Sequence, residues 1–407
     1  GQTHLKIRKF FLKTVHYEKR TFLRRIIAMP KHLIDHLSDI PDPRSGNHLR
    51  HHLIDVLTIA LTATICAIDS FTDMEEFGYA RKEWFESFLE LPNGIPSHDT
   101  FARVFSLLDP EAVERRFMNW TADVYTLTQG EVVAIDGKTL RGSHHRAGNK
   151  RAIHTLCAWA TEQKAVLAQQ KVEGKTNEIT VIPDLLDLLN LKGCVVTIDA
   201  MGCQKDIAAK IKENKADYVL ALKGNQSSLH EDVQLYMEDA QKNAFKDIPH
   251  SSYKQVEKGH GRIDIRRYWT TDAIDFLNQK EEWNGLKSIG MVESERQIGD
   301  RVSVEHRFYL SSLPSDAKTF AKAVRQHWQI ENGLHHVLDV TFREDEQRMR
   351  LKNSAQNMAL MRRCVVNLLK QETTSKRSIR GKRLKAGFDF PYLKTVLALA
   401  YRLSDHS

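Results

Sequence analysis

No apolar run in this sequence is long enough to cross a membrane. The longest, residues 57–68, has 12 residues and is interrupted by threonines, whereas a transmembrane helix needs about 20 apolar residues. The basic N-terminal residues are not followed by the apolar segment of a signal peptide. We therefore expect neither a membrane protein nor a secreted one.

Cysteine is scarce and is not arranged in pairs. The five cysteines are widely separated, and none belongs to a Cys-x-x-Cys motif. An odd number without close spacing predicts neither a disulfide framework nor a structural zinc site. This pattern fits a reducing, cytoplasmic compartment.

The sequence also lacks a strong excess of one charge, with 60 basic residues against 52 acidic ones. The small surplus is uneven, however. Residues 1–50 hold 11 basic and 4 acidic residues, and residues 376–385 hold six basic residues and no acid. These ends are either solvated tails or arms that contact phosphates on each side of an acidic, metal-binding middle.

The pattern of apolar residues predicts an α/β protein. Helical periodicity dominates up to residue 125, and from 131 onwards three strand-like runs are followed by alternating helices and strands. This order indicates a mixed sheet with flanking helices. The predicted segments are a basic arm at 1–40, a helical DNA-binding or associated domain at 41–125, the first part of the core at 126–235, a β-rich insertion at 236–315, the last part of the core with a catalytic helix at 316–370, and a basic tail at 371–407.

Two predicted strands with similar sequences end in an aspartate. Asp136 ends VVAID and Asp199 ends VVTID. If the two strands are parallel neighbours, both carboxylates emerge at one edge of the sheet, where a hard cation such as Mg²⁺ would relieve their repulsion. A strand-end aspartate can also be a simple turn or cap residue.

A third acid lies on the predicted helix that begins near residue 317. His327, Glu331, His335 and Asp339 recur every four residues and share one face of that helix. Glu331 either forms an ion pair with an arginine such as Arg325 or joins the two aspartates in a site for two metal ions. Such a site suits in-line phosphoryl transfer.

Basic and polar residues surround these acids in the sequence. Lys138 and Arg141 follow Asp136, while Lys223 and Asn225 follow the predicted strand YVLAL. In the β-rich insertion, cationic and aromatic side chains alternate in a way that suits phosphate contact and base stacking, although a solvated strand edge has the same pattern. The residues predicted to contact DNA are Lys138, Arg141, Lys223, Asn225, Arg262, Arg266, Arg267, Trp269, Arg325 and His327.

Several ordered motifs resemble the DDE-class transposases of bacterial insertion sequences, and more narrowly the H-repeat-associated group linked to Rhs elements. The motifs, which lie between residues 94 and 350, are GIPSHDTFARVFSLLDP, AIDGKTLRGS, VTIDAMGCQKDIA, YVLALKGNQ, EKGHGRIDIRRYW and VRQHWQIENGLHHVLDVTFREDEQRMR. The resemblance extends over about residues 35–370.

This resemblance implies a ribonuclease H-like core interrupted by a β-strand insertion. It places the catalytic and metal-binding triad on Asp136, Asp199 and Glu331, with Mg²⁺ as cofactor and Mn²⁺ as a substitute. It also implies double-stranded DNA as partner, both as element ends and as target, a homodimer, and a cytoplasmic, DNA-associated location in bacteria. No membrane or small-molecule substrate is expected.

The sequence departs from the resembled pattern around the last acid. The wider superfamily often has a Tyr-Arg-Glu-Lys signature, but His327 stands in place of its Arg and Leu338 in place of its Lys, and His336 stands where we expect Trp. Three functions therefore remain open from sequence: an active transposase, a transposase-derived DNA-binding protein that no longer transposes, and a metal-dependent nuclease without strand transfer.

Overall fold

The computed structural model describes residues 31–45, 49–143, 152–172, 178–259 and 261–401. Most of the predicted basic arm, residues 1–30, lies outside the described residues. Among the described helices, none combines the length and the apolar character that crossing a membrane requires.

The chain begins with a layer of helices. Serine and aspartate side chains cap several of them; for example, the Ser97 hydroxyl accepts a hydrogen bond from the Thr100 N–H at 3.4 Å. Apolar residues on these helices are buried against one another and against helices from the end of the chain. The helices are α1 Leu33–Ser38, α2 Leu53–Ile65, α3 Phe71–Ala80, α4 Lys82–Glu86, α5 His98–Leu107 and α6 Pro110–Val124.

A nine-stranded sheet follows, in the spatial order β3-β2-β1-β4-β5-β9-β8-β7-β6. β1 is antiparallel to β2 and parallel to β4, and β4 is parallel to β5. These first five strands have the ribonuclease H-like order, so the predicted α/β fold with a mixed sheet is confirmed. The strands are β1 Val132–Leu140, β2 Ile153–Ala160, β3 Ala165–Val172, β4 Val195–Ile198, β5 Asp217–Leu222, β6 Ser251–Gly259, β7 Arg262–Thr271, β8 Ser288–Ile298 and β9 Arg301–Ser311.

The β-rich insertion continues the core sheet rather than forming a separate one. β9 pairs with β5, and β6 to β9 form an antiparallel meander that extends the sheet outwards. The sequence pattern predicts strands at 263–269, 288–293 and 302–310, which correspond to β7, β8 and β9, but it misses β6, whose residues are largely exposed. It also misses the helix Ser227–Lys242, although Leu229, Val233, Met237 and Ala240 form a buried stripe at helical spacing.

Helices cover both faces of the sheet. On one face, α7 Glu178–Asp187, α8 Lys205–Glu213 and α9 Ser227–Lys242 pack their apolar residues on the strands. On the other face lies α10 Ala317–His327, followed by two π-helical segments, Glu331–His335 and Val337–Thr341. This second face carries the candidate site.

The C-terminal segment that the charge pattern predicts as a basic tail is folded as far as residue 401. It follows α11 Ser354–Gln371 and forms α12 Ile379–Phe388 and α13 Phe390–Leu397, which pack on the N-terminal helices. Arg383 is buried and donates hydrogen bonds to the Thr64 carbonyl and, at 2.6 Å, to the Asp69 carboxylate. Part of the basic charge is therefore neutralised inside the protein.

Candidate active site

The strand register brings the two aspartates to the same edge of the sheet. Ile135 of β1 is paired with Ile198 of β4 in a parallel ladder. The next residue of each strand is Asp136 and Asp199, and parallel strands run in the same direction. The repeated V-V-x-I-D sequence thus places two carboxylates side by side at the carboxyl end of β4.

Asp136 is an acid whose charge is only partly compensated. Its Oδ1 accepts a hydrogen bond from the Gly137 N–H at 2.9 Å. Burial raises its pKa to about 7, and repulsion by Glu331 and Asp199 contributes to the rise, whereas His335 opposes it. A cation at this position would therefore be stabilised by charge that the protein leaves unpaired.

Asp199 caps a short turn directly after β4. Its Oδ1 accepts hydrogen bonds from the Met201 and Gly202 N–H groups at 3.2 and 3.4 Å. Burial raises its pKa, and the negative charge of Glu178 at the start of α7 adds to the rise. Asp199 is thus both a cap, as the simpler interpretation expects, and a second acid near Asp136.

The third acid lies where the helix after β9 widens into its first π-helical segment. Glu331 is the first residue of that segment, and about half of its side chain is exposed. Its carboxylate lies near the imidazole of His335, with 3.7 Å between Oε2 and Nδ1. The neighbouring His335 imidazole holds the pKa of Glu331 below its usual range. π-Helical segments are rare and often occur at functional sites.

His335 connects the helix to the first strand. Its Nδ1 lies 3.5 Å from Oδ2 of Asp136 as well as 3.7 Å from Glu331. Burial would lower its pKa, but contact with Cys157 and with the carboxylates of Glu331 and Asp136 raises it to about 9. Cys157 is the residue directly opposite Asp136 in the ladder between β1 and β2.

Asp136, Glu331 and His335 together form a donor set that fits a divalent cation. One potential ligand atom from each lies within 4.8 Å of the others. Asp199 is not a member of this tight group, but its charge acts on Asp136. The structure therefore brings the three predicted acids into one region, with two of them in direct reach of a shared ion.

The second π-helical segment explains one departure from the resembled pattern. Leu338 is fully buried in the core between the sheet and the N-terminal helices. The lysine beside this segment comes instead from β1, since the Lys138 ammonium pairs with Asp339. Lys138 is therefore held by an internal ion pair, although the sequence predicts it as a DNA contact.

A groove of about 590 Å³ lies between the β6–β9 meander and α10 and extends to Asn332, the residue after Glu331. Two of its arginines share one acid: Arg266 and Arg325 each lie 2.9 Å from a Glu257 oxygen. Trp328, which is partly exposed, lies under the Arg307 guanidinium at 4.7 Å from the ring centre. The arginines that line the groove are Arg262, Arg266, Arg296, Arg307 and Arg325.

The strand β7 divides the other predicted contacts between two faces of the sheet. Arg262 and Arg266 face the groove, whereas the alternate residues Arg267 and Trp269 point to the opposite side. Arg267 pairs with Glu293 and Glu295, and the Trp269 ring stacks on Phe245 with a centroid distance of 6.1 Å. These two residues are therefore not part of the surface that contains the acids.

The remaining predicted contacts have different environments. Nδ1 of His327 and the Thr197 hydroxyl form a hydrogen bond of 3.0 Å. Burial lowers the pKa of His327 to about 4. Asn225 donates to the Ala200 carbonyl at 2.7 Å and so supports the turn that Asp199 caps. Arg141 and Lys223 are exposed. Arg141 also lies 3.6 Å from the Asp345 carboxylate, whereas Lys223 is close enough to Asp199 for its charge to lower the pKa of that acid.

With this geometry established, comparison with known proteins gives the family. Residues 127–368 match the sequence model described as "Transposase DDE domain". The chain belongs to the DDE transposase family. Residues 34–121 match a second model, described as "DDE_Tnp_1-associated". The resemblance predicted from the motifs is thereby confirmed.

Named relatives of this DDE family member cover nearly all of its length. "Putative transposase YncI" of Escherichia coli O157:H7 is 42% identical over 370 residues, which are 90% of this chain and 94% of that protein. "H repeat-associated putative transposase YhhI" of Escherichia coli K12 is 38% identical over 373 residues, 90% of this chain and 98% of that protein. The narrower resemblance to the H-repeat-associated group is also confirmed.

One solved structure similar to this chain is a piggyBac transposase synaptic complex with hairpin DNA. The similarity covers 89% of this chain and 77% of that one, with 13% sequence identity and a TM-score of 0.42.

In this DDE family member, the sequence pattern predicts which face of the helix carries Glu331, but it does not predict that His335 belongs to the acidic cluster. The four-residue recurrence of His327, Glu331, His335 and Asp339 was the available signal, because it places all four on one side of the helix. Glu178 was missed for a different reason: it begins a helix far from both aspartates in sequence. Only the fold reveals its influence on Asp199.

Proposed function

We propose that this protein is a DNA transposase that binds the inverted repeats at the ends of its own element. It hydrolyses phosphodiester bonds there and joins the 3′-hydroxyl ends to target DNA. Asp136, Asp199 and Glu331 hold Mg²⁺, for which Mn²⁺ can substitute. The observation that carries the proposal is that two strand-end aspartates and one helix glutamate share a partly buried edge of a ribonuclease H-like sheet.

The metal ions, when bound, supply the positive charge that activates the attacking oxygen and stabilises the leaving oxygen. The chain supplies the positioning. The parallel register fixes Asp136 beside Asp199, and buried Leu334 and Leu338 fix the rotation of the helix that carries Glu331. Because these elements are packed in the core, the carboxylates are held in place before DNA arrives.

The groove beside the acids is the proposed path for DNA. Its arginines lie on the same face of the sheet as Glu331, and Asn332, the residue after that acid, also lines the groove. We assign phosphate contacts to Arg262, Arg266 and Arg325 in the groove and to Arg141 and Lys223 near the strand ends. We also propose that a homodimer holds the two ends together for joining, and that the protein acts on bacterial DNA in the cytoplasm.

The test uses the full-length protein and labelled duplexes that contain the DNA flanking its coding region. With Mg²⁺ we expect nicks at the element ends and joined products with a target duplex. Asp136→Asn should abolish cleavage while binding to the ends persists. The matched control is Asp275→Asn, because Asp275 is an exposed acid paired with Lys280 on the surface; it should cleave normally.

Three results would contradict the proposal. Cleavage by Asp136→Asn would remove the assigned site. Cleavage without joined products would favour a metal-dependent nuclease, and end binding without cleavage in either metal ion would favour a DNA-binding protein that no longer transposes.

A further inference from the structure

The imidazole of His335 is unusual because it is buried and still aimed at two acids. Only 7% of the side chain is exposed, and Nδ1 faces Asp136 at 3.5 Å and Glu331 at 3.7 Å. Its other nitrogen, Nε2, is buried as well, and the ring also contacts the Cys157 thiol. The imidazole is therefore enclosed by groups of the helix and of the strands.

The direction of the ring is fixed by the fold. His335 ends the π-helical segment that Glu331 begins, and the adjacent Leu334 is fully buried in the core. On the strand side, the ring lies close to Asp136 and helps to lower the pKa of the Cys157 thiol. Cys157 is paired with Asp136 in the ladder between β1 and β2. A side chain held between a helix and a strand cannot turn away as a surface histidine can.

We propose that Nδ1 of His335, on releasing its proton to solvent, becomes a direct ligand of the divalent cation that Asp136 and Glu331 hold. The inference rests on the proposed function, since it concerns the same metal site, but it adds a nitrogen ligand to the three carboxylates. The donor atoms of the three side chains lie within 4.8 Å of one another, as ligands of one ion must.

A nitrogen ligand has a consequence for metal preference. Mg²⁺ strongly favours oxygen ligands, whereas first-row transition metals accept imidazole. The site should therefore favour Mn²⁺ over Mg²⁺ more than an all-carboxylate site does.

Two neighbouring histidines provide matched controls. His336 is the next residue along the chain and is exposed. His327 lies on the same helix but its Nδ1 is occupied by the Thr197 hydroxyl at 3.0 Å. Replacing either one changes the number of histidines near the site without removing the proposed ligand.

The experiment adds Mn²⁺ alone to the purified full-length protein and records electron spin echo envelope modulation. A directly bound imidazole gives a ¹⁴N coupling to the manganese. We expect this coupling in the wild type, in His336→Gln and in His327→Gln, and its loss in His335→Gln. Circular dichroism and thermal unfolding establish that each variant is folded.

A second variant tests metal preference and does not depend on the stability of His335→Gln. His335→Asp restores a third potential ligand as oxygen, so Mn²⁺ should still bind. The ratio of Mn²⁺ affinity to Mg²⁺ affinity, measured by titration calorimetry, should fall about tenfold. An unchanged ratio would contradict a nitrogen ligand.

The outcomes separate this inference from the proposed function. If Mn²⁺ binds to the wild type without ¹⁴N coupling, or if the coupling survives His335→Gln, the His335 assignment is wrong while Mn²⁺-dependent cleavage leaves the transposase proposal standing. If Asp136→Asn binds Mn²⁺ and cleaves DNA as the wild type does, the metal site itself is wrong and both proposals fail.

Discussion

Two groups of charges in this protein differ in how far they are neutralised. In one, the carboxylates of Asp136 and of the half-exposed Glu331 lie near His335, and the pKa of Asp136 rises to about 7. In the other, Glu344 lies between two buried arginines, Arg362 and Arg363, at 3.6 and 2.7 Å. Burial would raise the pKa of Glu344, but the two guanidinium groups hold it below its usual range.

The comparison separates a site that is prepared for a cation from a structural ion pair. Both groups are close to Lys138, whose charge lowers the pKa of Glu331 and of Glu344 alike. The groups differ in exposure, since about half of the Glu331 side chain is exposed whereas Glu344 is buried, and in the number of fixed cations beside the acids. Surplus negative charge is costly for folding, and its retention near an open groove points to a ligand.

Removing one acid from the metal site should cause the largest change in activity. Asp136→Asn should lower the cleavage rate about 1,000-fold or more, because an essential ligand is lost. The free energy of unfolding should not fall, since the substitution removes a carboxylate whose negative charge is disfavoured by burial. Parallel cleavage assays and urea unfolding would measure both, and a destabilised variant would contradict the comparison.

The opposite result is expected for the structural ion pair. Glu344→Gln leaves two buried guanidinium groups without their carboxylate and should lower the free energy of unfolding by about 3–5 kcal/mol. Glu346→Gln is the control, because Glu346 is two residues away and pairs with Arg343 on the surface; its unfolding curve should resemble that of the wild type. Equal effects for the two variants would remove the distinction.

Metal binding should stabilise the protein only through the first group. Mn²⁺ at 100 times its dissociation constant should add about 2.7 kcal/mol to the free energy of unfolding of the wild type. Asp136→Asn should lose most of this gain, whereas Glu346→Gln should retain it. Thermal unfolding with Mn²⁺ and with a chelator would measure the gain, and a gain preserved in Asp136→Asn would place the ion elsewhere.

Lys138 should show an intermediate effect because it is close to both groups. Lys138→Gln breaks the ion pair with Asp339 and should lower the free energy of unfolding by about 1 kcal/mol. Lys138→Arg keeps the charge and should recover part of the loss. If both variants unfold like the wild type in urea, Lys138 does not contribute to the stability of this region.

The smallest effect concerns arginines on opposite faces of the sheet, namely Arg325 of α10 in the groove and Arg267 of β7 on the other side. Arg266 and Arg325 share the single acid Glu257, so positive charge is in surplus in the groove, whereas Arg267 faces two acids. Arg325→Gln should reduce the salt dependence of DNA binding by about one unit of slope. Arg267→Gln should leave that slope unchanged, and an equal reduction would contradict the assignment of the groove.

The central sheet was predictable because its strands are buried on both faces. Strands β1 to β5 consist of short apolar runs bounded by turn residues, and the repeated V-V-x-I-D sequence pointed to the edge where the aspartates lie. The strand β6 was missed because its residues alternate between partly exposed and exposed, without an apolar face. Strand propensity alone is a weak signal in that case.

Other differences arise from packing over long sequence distances. The basic segment 376–385 has the composition of a tail, yet Lys382 donates to the Leu369 carbonyl at 2.7 Å and Arg383 is bonded to Thr64 and Asp69. The pattern of Arg267 and Trp269 beside Arg266 suggested one DNA-binding surface, but strand alternation places them on the opposite face. The amino-acid composition of a segment does not reveal its contacts with residues that are distant in the sequence.

The π-helical segments also affect how the residues after Glu331 should be matched to those of other family members. A π-helix winds fewer turns than an α-helix of equal length, because each hydrogen bond spans five residues instead of four. Counting a fixed number of residues from the glutamate therefore leads to a different side of the helix in this chain, and the count ends at the buried Leu338. Equivalent residues in this group are better found by superposing the helix than by sequence offset.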